Sequence, residues 1–328
     1  MKREDILRRA PNISQIAGIR RVILDEGKGR GMGAYEVKTG GGLNFTVHAD
    51  RCMDIFEASY RGVNLGFLSK NGAISPNFFE NSEKGFLNYV QGGFLFTCGF
   101  RNVGPACTVN GELHPAHGRA SVLPAENVFS RCYWQGNEYK MTLGGNMRES
   151  TLFGHNLVLS RTISTSMGSN SFEINDILQN DSPELEKIMI LYHLNFGYPV
   201  LSAAARLEID SEMTPRDDEA KKGITEYKEF TGPIDGYNEQ CFYHKMNKPA
   251  AALVNPEAGL RVLVEYDKTN LPNFTEWKSM RSGDYALGVE PANCFPEGRE
   301  AADKAGRLVQ IEPFGKLEYK LKVTVEEI

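Results

Sequence analysis

Residues 317–325, LEYKLKVTV, carry the alternation that decides the fold. Apolar and polar residues alternate along this segment, which is typical of a strand with one face in the core and the other in water. The apolar face comprises Leu317, Tyr319, Leu321, Val323 and Val325. The other face comprises Glu318, Lys320, Lys322 and Thr324. The segment therefore predicts a half-buried antiparallel strand.

Short runs of strand-forming residues recur along the chain, with glycines between them where turns and bulges need them. Examples are RRVILDE (20–26), AYEVKT (34–39), LNFTVH (43–48), NLVLSRTIST (156–165), KIMILYHLNF (187–196) and LRVLVEYD (260–267). Helices are scarce: we expect one short turn of helix within residues 2–10 and an exposed loop at the charged stretch 214–222. Many strands without a strand–helix–strand rhythm predict an all-β fold, a large antiparallel β-sandwich formed by residues 1–328 as one domain.

Charge and composition narrow the classes of partner. The net charge of -5 argues against a nucleic-acid binder, which needs a basic face to displace phosphate counterions, and against docking on an anionic membrane. A small neutral or weakly charged ligand is the expected partner, and a homodimer is left open. The first residues, MKREDILRRAPNIS, lack the apolar core of a signal peptide, and six cysteines without a CxxC pair predict buried, reduced thiols. A cytoplasmic protein is expected.

Two segments resemble cofactor-binding motifs but lack the residue spacing that such motifs require. The glycine-rich stretch 27–33, GKGRGMG, lacks the GxxxxGK[ST] spacing of a phosphate loop, so it predicts a turn. Cys98, Cys107, His114 and His117 are close in sequence but lack the short paired spacing of zinc ligands. Neither a metal nor another cofactor is expected.

Candidate catalytic side chains fall in three segments. They are LHPAHGR (113–119), IMILYHLNFGYP (188–199) and YALGVEPANCFPEGR (285–299). In the second, His193 and Asn195 share a strand face. In the third, Glu290 shares a face with Ala286 and Gly288, so room for a ligand remains beside its carboxylate. Taken singly, each has a structural explanation, as a satisfied core histidine or a solvated glutamate.

In chain order, six segments resemble the aldose 1-epimerase (galactose mutarotase) superfamily, and more closely an aldose 1-epimerase-like branch of it. They are DRCMDI (50–55), GGFLFTCGFRNVG (92–104), HPAHGR (114–119), YHLNFGYP (192–199), NFTEWKSM (273–280) and GVEPANCFPEGR (288–299). The ordered set spans nearly the whole chain and is far more specific than any one motif. The resemblance implies the galactose mutarotase-like supersandwich, in agreement with the strand pattern.

The resemblance also implies a reaction, the interconversion of the α and β anomers of a monosaccharide. Glu290 matches the family's catalytic base, His193 its general acid and His117 the histidine of its LHGG-type loop. The acid and the base are expected on opposite sides of the sugar ring, without a cofactor. Imidazole suits the acid role because histidine ordinarily titrates near neutrality.

Binding residues follow from their position beside the matched motifs. Trp277 could stack on a pyranose or serve as core, since indole does both. Arg51 and Asp54 could form a pair at the edge of the site or a purely structural salt bridge. Asp235 and Glu239 lie where the family often carries an acidic sugar ligand, without a match close enough to choose one. The expected hydroxyl partners are Asn102, Arg119, Asn195 and Asn293.

Two departures from the family pattern argue against galactose itself. The loop reads AHGR rather than LHGG, and Pro291 follows Glu290, which restricts the glutamate to extended backbone. Two alternatives therefore stay open. An anionic sugar is favoured if arginines converge in the cleft, because guanidinium binds anions bidentately; the candidates are Arg51, Arg101, Arg119 and Arg299. A non-catalytic carbohydrate-binding protein is favoured if His193 and Glu290 lie too far apart to act together.

Overall fold

The computed structural model describes residues 2–328, which form twenty strands, four short helices and four turns of 3-10 helix. The strands are β1 Gly18–Ile23, β2 Gly33–Lys38, β3 Leu43–His48, β4 Asp54–Tyr60, β5 Val63–Asn64, β6 Leu95–Phe100, β7 Cys107–Val109, β8 Glu112–His114, β9 Ala125–Gln135, β10 Glu138–Ser150, β11 Asn156–Ser166, β12 Ser171–Asn180, β13 Glu186–Phe196, β14 Arg206–Pro215, β15 Gln240–Asn255, β16 Leu260–Tyr266, β17 Asn273–Arg281, β18 Asp284–Ala292, β19 Val309–Ile311 and β20 Lys316–Glu327. The helices are α1 Arg3–Leu7, α2 Phe86–Tyr89, α3 Asp218–Lys222 and α4 Arg299–Lys304. The 3-10 turns are Ile13–Gln15, Gly27–Gly29, Pro76–Phe78 and Ala120–Val122.

Two large antiparallel sheets dominate the fold. Strands β1 to β5 form one sheet in chain order. The second sheet has the order β19-β13-β18-β17-β15-β16-β20-β12-β11-β10-β9, with β14 paired to β15 and β6 paired to β13. Strands β7 and β8 form a separate hairpin. The predicted all-β, antiparallel architecture is confirmed.

The main apolar core lies between the two large sheets. Residues from both share one cluster, in which Phe45 of β3 and Phe172 of β12 have ring centroids 5.0 Å apart. On β20, Tyr319, Leu321 and Val323 are buried in the same core, as the alternation of that segment predicts.

Strand β13 has two unlike faces. Ile190 and Tyr192 point into the core between the sheets. Met189 and Leu191 point the other way and join a second, smaller apolar cluster. Because side chains alternate along a strand, His193 shares this outer face. An imidazole therefore ends an apolar row on the outer face.

A buried polar network holds β13 from its core side. Arg161 of β11 donates to Asp176 of β12 through Nε and Nη2, at 3.0 and 2.7 Å, and to Asp54 of β4 through Nη1, at 2.7 Å. Tyr192 donates its hydroxyl to Asp176 at 2.8 Å, and Thr97 of β6 donates to Asp54 at 2.6 Å. All five side chains are buried. The network ties five strands together directly behind His193.

Two details differ from expectation. The charged stretch 214–222 is not simply a loop: β14 runs to Pro215, and α3 follows because the Asp217 side chain accepts from the Ala220 N–H at 2.9 Å and caps it. The six thiols are free but not all buried, since Cys107 is half-buried and Cys132 is exposed. The turn of helix expected near the N-terminus is confirmed as α1. Within residues 2–328, every helix is too short or too polar to cross a membrane.

Candidate active site

His193 and Glu290 are cross-strand neighbours on β13 and β18. The pairs Leu191–Ala292 and Leu194–Val289 bracket them and fix the register that sets one opposite the other. Directly opposed side chains share a sheet face with Cβ atoms about 4.5–5.5 Å apart. The two residues, 97 positions apart in sequence, are therefore brought together by strand order alone.

The two side chains touch. His193 Nε2 lies 2.9 Å from Glu290 Oε1, and their side chains are 15% and 3% exposed. The atoms are close but poorly aligned, so that Oε1 lacks a true hydrogen-bond donor. The expected separation, with the groups on opposite sides of a sugar ring, is wrong for this structure, because residues opposed on adjacent strands cannot stand a pyranose apart.

Gly288 provides the space in which the two groups meet. It precedes Glu290 by two residues and so shares its face of β18. A Cβ at position 288 would lie 2.6 Å from Glu290 Oε1 and 2.7 Å from His193 Cε1. The room that small residues leave on this face is occupied by the imidazole and the carboxylate themselves.

His117 lies beside this pair in a constrained loop. Its φ of 56° is uncommon for a residue with a side chain, and such strain concentrates at functional sites. Main-chain hydrogen bonds of 2.9 Å to Gly99 and Gly104 hold it there. Its ring is 5.0 Å from that of Phe86 and 6.4 Å from that of His193. Burial, with a smaller effect of His193, lowers the pKa of His117 to about 3, so the ring is neutral near pH 7 and can still donate one hydrogen bond.

Trp277 closes the other side of the pair. On β17 it is paired with Gly288, and its ring lies edge-on to His193 with 5.5 Å between centroids. Its indole N–H donates to Glu239 Oε2 at 2.7 Å, while the ring stays partly exposed. Glu239 is thus an orienting partner of the indole, and Asp235 is an exposed residue of the preceding loop.

Four buried polar atoms of this patch have no hydrogen-bond partner in the described chain: His117 Nδ1, His193 Nδ1, Glu290 Oε1 and Thr275 Oγ1. Each such atom costs about 1–3 kcal/mol. Folded proteins leave few of them, and catalytic groups and sites of unseen solvent are the usual reasons. Their concentration around one imidazole–carboxylate pair is the pattern expected of a site that takes a polar ligand.

The three predicted asparagine ligands are buried and held by main-chain groups. Asn102 donates to two carbonyls and accepts from the Arg299 N–H. Asn195 donates to the carbonyls of Gly93 and of His193 itself. Asn293 accepts from the Ile190 N–H at 2.8 Å and keeps an unpartnered Nδ2. Asn195 and Asn293 brace β13, and Asn102 braces the loops beside it.

Arg51 and Asp54 do not form a pair at the edge of the site. Asp54 is bound by Arg161, while Arg51 is fully buried and donates to the carbonyls of Ile74 and Tyr89. Both are parts of the interior, because Arg51 donates to main-chain carbonyls and Asp54 accepts from buried groups of Thr97 and Arg161. Arg119 is partly exposed and donates to Asn81 at 3.1 Å.

A second imidazole–carboxylate pair shows what distinguishes the first. His244 Nε2 lies 3.2 Å from Glu276 Oε2, and His244 Nδ1 lies 2.8 Å from Ser211 Oγ. Both side chains of this second pair are 0% exposed. It is enclosed in the core, whereas His193 reaches solvent.

No group of three or more His, Cys, Asp or Glu side chains in the part of the chain described is arranged to hold a metal ion. Sequence reasoning missed two members of the patch, Phe86 against His117 and Thr275, and it assigned the space at Gly288 to a ligand rather than to the two side chains. For Thr275 a signal exists, because in NFTEWKSM it shares the face of Trp277.

Comparison with solved structures places this fold among known proteins. A Klebsiella pneumoniae protein provisionally named an aldose 1-epimerase has a TM-score of 0.88 and 25% identity, covering 94% of this chain and 83% of its own. A galactose mutarotase-like protein from Clostridium acetobutylicum has a TM-score of 0.66 and 14% identity, covering 96% and 100%. The galactose 1-epimerase of Lactobacillus acidophilus has a TM-score of 0.58 and 14% identity, covering 95% and 99%. No curated protein matches the chain significantly.

The resemblance to the aldose 1-epimerase (galactose mutarotase) superfamily is therefore confirmed at the level of the fold. A family model described as a domain of unknown function, DUF4432, matches residues 29–325, so the chain belongs to the DUF4432 family.

Proposed function

We propose that the protein is an aldose 1-epimerase, which exchanges the α and β anomers of a monosaccharide by opening and reclosing the ring. The observation that carries the proposal is a partly exposed imidazole–carboxylate pair with four unpartnered buried polar atoms, two in the pair itself and two beside it. The reaction needs one group to accept the proton of the C1 hydroxyl and another to protonate the ring oxygen. Glu290 and His193 supply this base and this acid.

Direct contact between the two groups suits this chemistry. The C1 hydroxyl oxygen and the ring oxygen are bonded to the same carbon, so two neighbouring side chains can reach both from one edge of the sugar. The sugar must part His193 from Glu290 as it binds. Each group then exchanges a misaligned contact of 2.9 Å for a hydrogen bond to substrate.

The proton transfers balance over one turnover. Glu290 takes the proton of the C1 hydroxyl while His193 gives its proton to the ring oxygen, and the C1–O5 bond breaks to an open-chain aldehyde. Rotation about C1–C2 presents the other face of the carbonyl. On reclosure His193 recovers its proton from the C5 hydroxyl and Glu290 returns the other to O1. No external oxidant or reductant is consumed.

His117 and Trp277 complete the proposed site. The neutral imidazole of His117, held in place by its loop, donates a hydrogen bond to a sugar oxygen. The partly exposed indole of Trp277 packs against the apolar face of the ring, oriented by its hydrogen bond to Glu239. Neither role requires movement of the sheet.

The arginines support a neutral sugar over an anionic one. Arg51 is buried and donates to the carbonyls of Ile74 and Tyr89. Arg101 pairs with Glu112, and Arg299 donates to two main-chain carbonyls. Arg119 lies 3.9 Å from Glu149, whose pKa burial raises to about 7. Each of these arginines thus already has a carboxylate or carbonyl of the protein as a partner, although Arg51 Nε and Arg101 Nε stay unpartnered. This pairing favours a neutral sugar.

The distance between His193 and Glu290 also bears on the choice between catalysis and simple binding. A carbohydrate-binding protein without activity would have no need of an acid–base pair that reaches solvent, whereas the other such pair, His244 and Glu276, is enclosed in the core. The 2.9 Å contact, with one partner open to solvent, favours the enzyme.

The direct test is anomer exchange measured by two-dimensional NMR on sugars first selected by thermal shift. The panel comprises neutral aldoses, their phosphates and uronates. We expect at least one neutral aldose to raise the Tm and to exchange anomers well above the rate in buffer. A ligand that raises the Tm without faster exchange would indicate a binding protein, and exchange confined to phosphates or uronates would overturn the neutral-sugar assignment.

Gly288→Ala should cost about 10²-fold in kcat/KM for anomer exchange, the scale expected when catalytic groups move by about 1 Å. The new Cβ would stand 2.6 Å from Glu290 Oε1 and 2.7 Å from His193 Cε1, so both groups must shift. Gly232→Ala is the matched control, because a Cβ there meets nothing within 4 Å. Equal kcat/KM for the two variants would show that the space at Gly288 is unimportant.

A further inference from the structure

Thr275 is fully buried on β17, yet its hydroxyl has no hydrogen-bond partner in the described chain. A buried threonine hydroxyl normally finds an acceptor, often a carbonyl of its own backbone. The unpartnered Oγ1 is therefore not explained by the fold alone. Its surroundings suggest what it serves.

Thr275 is paired directly with Glu290 across β17 and β18. Directly opposed residues share a face, with Cβ atoms about 4.5–5.5 Å apart, which is within reach of a glutamate side chain. On its other flank Glu290 meets His193. The carboxylate thus stands between an imidazole that it touches and a hydroxyl that it does not use.

The contact that the carboxylate does make is a poor one. Glu290 Oε1 has no aligned donor, although His193 Nε2 is 2.9 Å away. Under the proposed function a sugar oxygen must enter between these two atoms, which removes even this contact. A carboxylate that moves off His193 moves toward Thr275.

We propose that Thr275 is a positioning residue, whose hydroxyl hydrogen-bonds the Glu290 carboxylate once that group has separated from His193. The side chain of Glu290 then has two positions, the one described here against His193 and a second against Thr275 when a sugar is bound. The unpartnered Thr275 hydroxyl is the donor for the second position. The effect of Thr275 on catalysis rests on the proposed function. The movement of the carboxylate between His193 and Thr275 does not depend on it.

The first test uses activity on the aldose that the wild-type protein exchanges fastest. Thr275→Val, nearly isosteric but without the hydroxyl, should lower kcat about 10- to 100-fold, the scale of one hydrogen bond to a charged group. Thr275→Ser keeps the hydroxyl and should stay within a few-fold of wild type. Recovery of kcat in Thr275→Ser would assign the loss to the hydroxyl rather than to a structural change in the strand.

The second test needs no activity and measures Tm in a double-mutant cycle with His193→Ala. In the wild-type background Thr275→Val removes an unpartnered hydroxyl, so the Tm should hold or rise. In the His193→Ala background the carboxylate has turned to Thr275, so the same change should lower the Tm. A crystal structure of His193→Ala should show Glu290 hydrogen-bonded to Thr275.

The outcomes separate the two proposals. Equal Tm effects of Thr275→Val in both backgrounds would overturn the role of Thr275, whether or not the protein exchanges anomers. An unchanged kcat in an active Thr275→Val protein would overturn it as well. A third outcome combines different Tm effects of Thr275→Val in the two backgrounds with a wild-type protein that exchanges the anomers of none of the sugars. It would support the movement of the carboxylate and reject the epimerase.

Discussion

Glu290→Gln should lower kcat for anomer exchange by about 10²- to 10⁴-fold, the usual contribution of one positioned proton-transfer group. The amide keeps the shape of the side chain but cannot accept the proton of the C1 hydroxyl. His193→Gln should fall in the same range, because the ring oxygen then lacks its acid. The two residues touch and act in one step, so the double variant should be little worse than either single variant.

The matched control is Glu173→Gln, which removes the same charge from an exposed strand position on β12. It should leave kcat unchanged. The Tm of Glu290→Gln should not fall below that of wild type, because the change removes a buried charge whose close partner in the described chain is a misaligned imidazole. Wild-type kcat in Glu290→Gln or His193→Gln would remove both from the mechanism.

The identity of this pair was accessible from sequence, but its geometry was not. His193 and Glu290 lie in segments whose alternation shows which face of the strand each side chain is on. The resemblance of the ordered motifs to the family implies a role for each. Their contact depends on β13 lying beside β18, an arrangement set by packing rather than by local pattern. One residue of slip in that pairing would send either side chain to the opposite face. Motif reasoning therefore proposed both residues for one site, and the separation that it predicted between them was wrong.

The mistaken pairing of Arg51 with Asp54 has a similar origin. The two are three residues apart, whereas the partner that Asp54 finds, Arg161, is 107 residues away. A usable signal was nevertheless present, since Arg161 occupies the apolar phase of its strand, between Leu159 and Ile163. An arginine in an apolar row requires a buried acidic partner, because an unpaired charge cannot be left in the core.

The same rule applies to the strand that follows. Asp176 stands in the apolar row of β12, between Ile174 and Leu178. Two opposite charges in the apolar rows of consecutive strands predict a buried ion pair. The third member, Asp54, adds a second carboxylate that only the folded arrangement reveals. Propensity and periodicity could thus indicate part of the network but not its full membership.

Arg161→Met should be among the most destabilising single changes in the molecule. Methionine can fill much of the volume, but Asp54 and Asp176 lose their shared cation while both stay buried. Removing one partner of a buried ion pair costs about 3–5 kcal/mol. We expect the Tm measured by calorimetry to fall by roughly 10 °C. Anomer exchange should persist at temperatures where the variant is folded, because the network lies behind the site.

The Tm decrease caused by Arg161→Met should be smaller at low pH than at high pH. Burial already raises the pKa of Asp54, and Arg161 is the main influence that lowers it. Without Arg161 the folded-state pKa of the buried carboxyl rises further above its unfolded value. Proton uptake by the folded state then stabilises the variant at low pH, and this stabilisation is lost as the pH rises through the raised pKa. The Tm difference from wild type should therefore be smaller at pH 5 than at pH 8.

Two further variants test whether the Tm decrease comes from the buried charges. Arg148→Met, at an arginine 40% exposed that pairs with Glu126, should change the Tm little, because exposed ion pairs contribute about 0–1 kcal/mol. Adding Asp54→Asn to Arg161→Met removes one of the two uncompensated carboxylates and should restore part of the lost Tm. If Arg161→Met instead matched Arg148→Met at every pH, the network would not hold β13 in place. The position of His193 over Glu290 would then need another support.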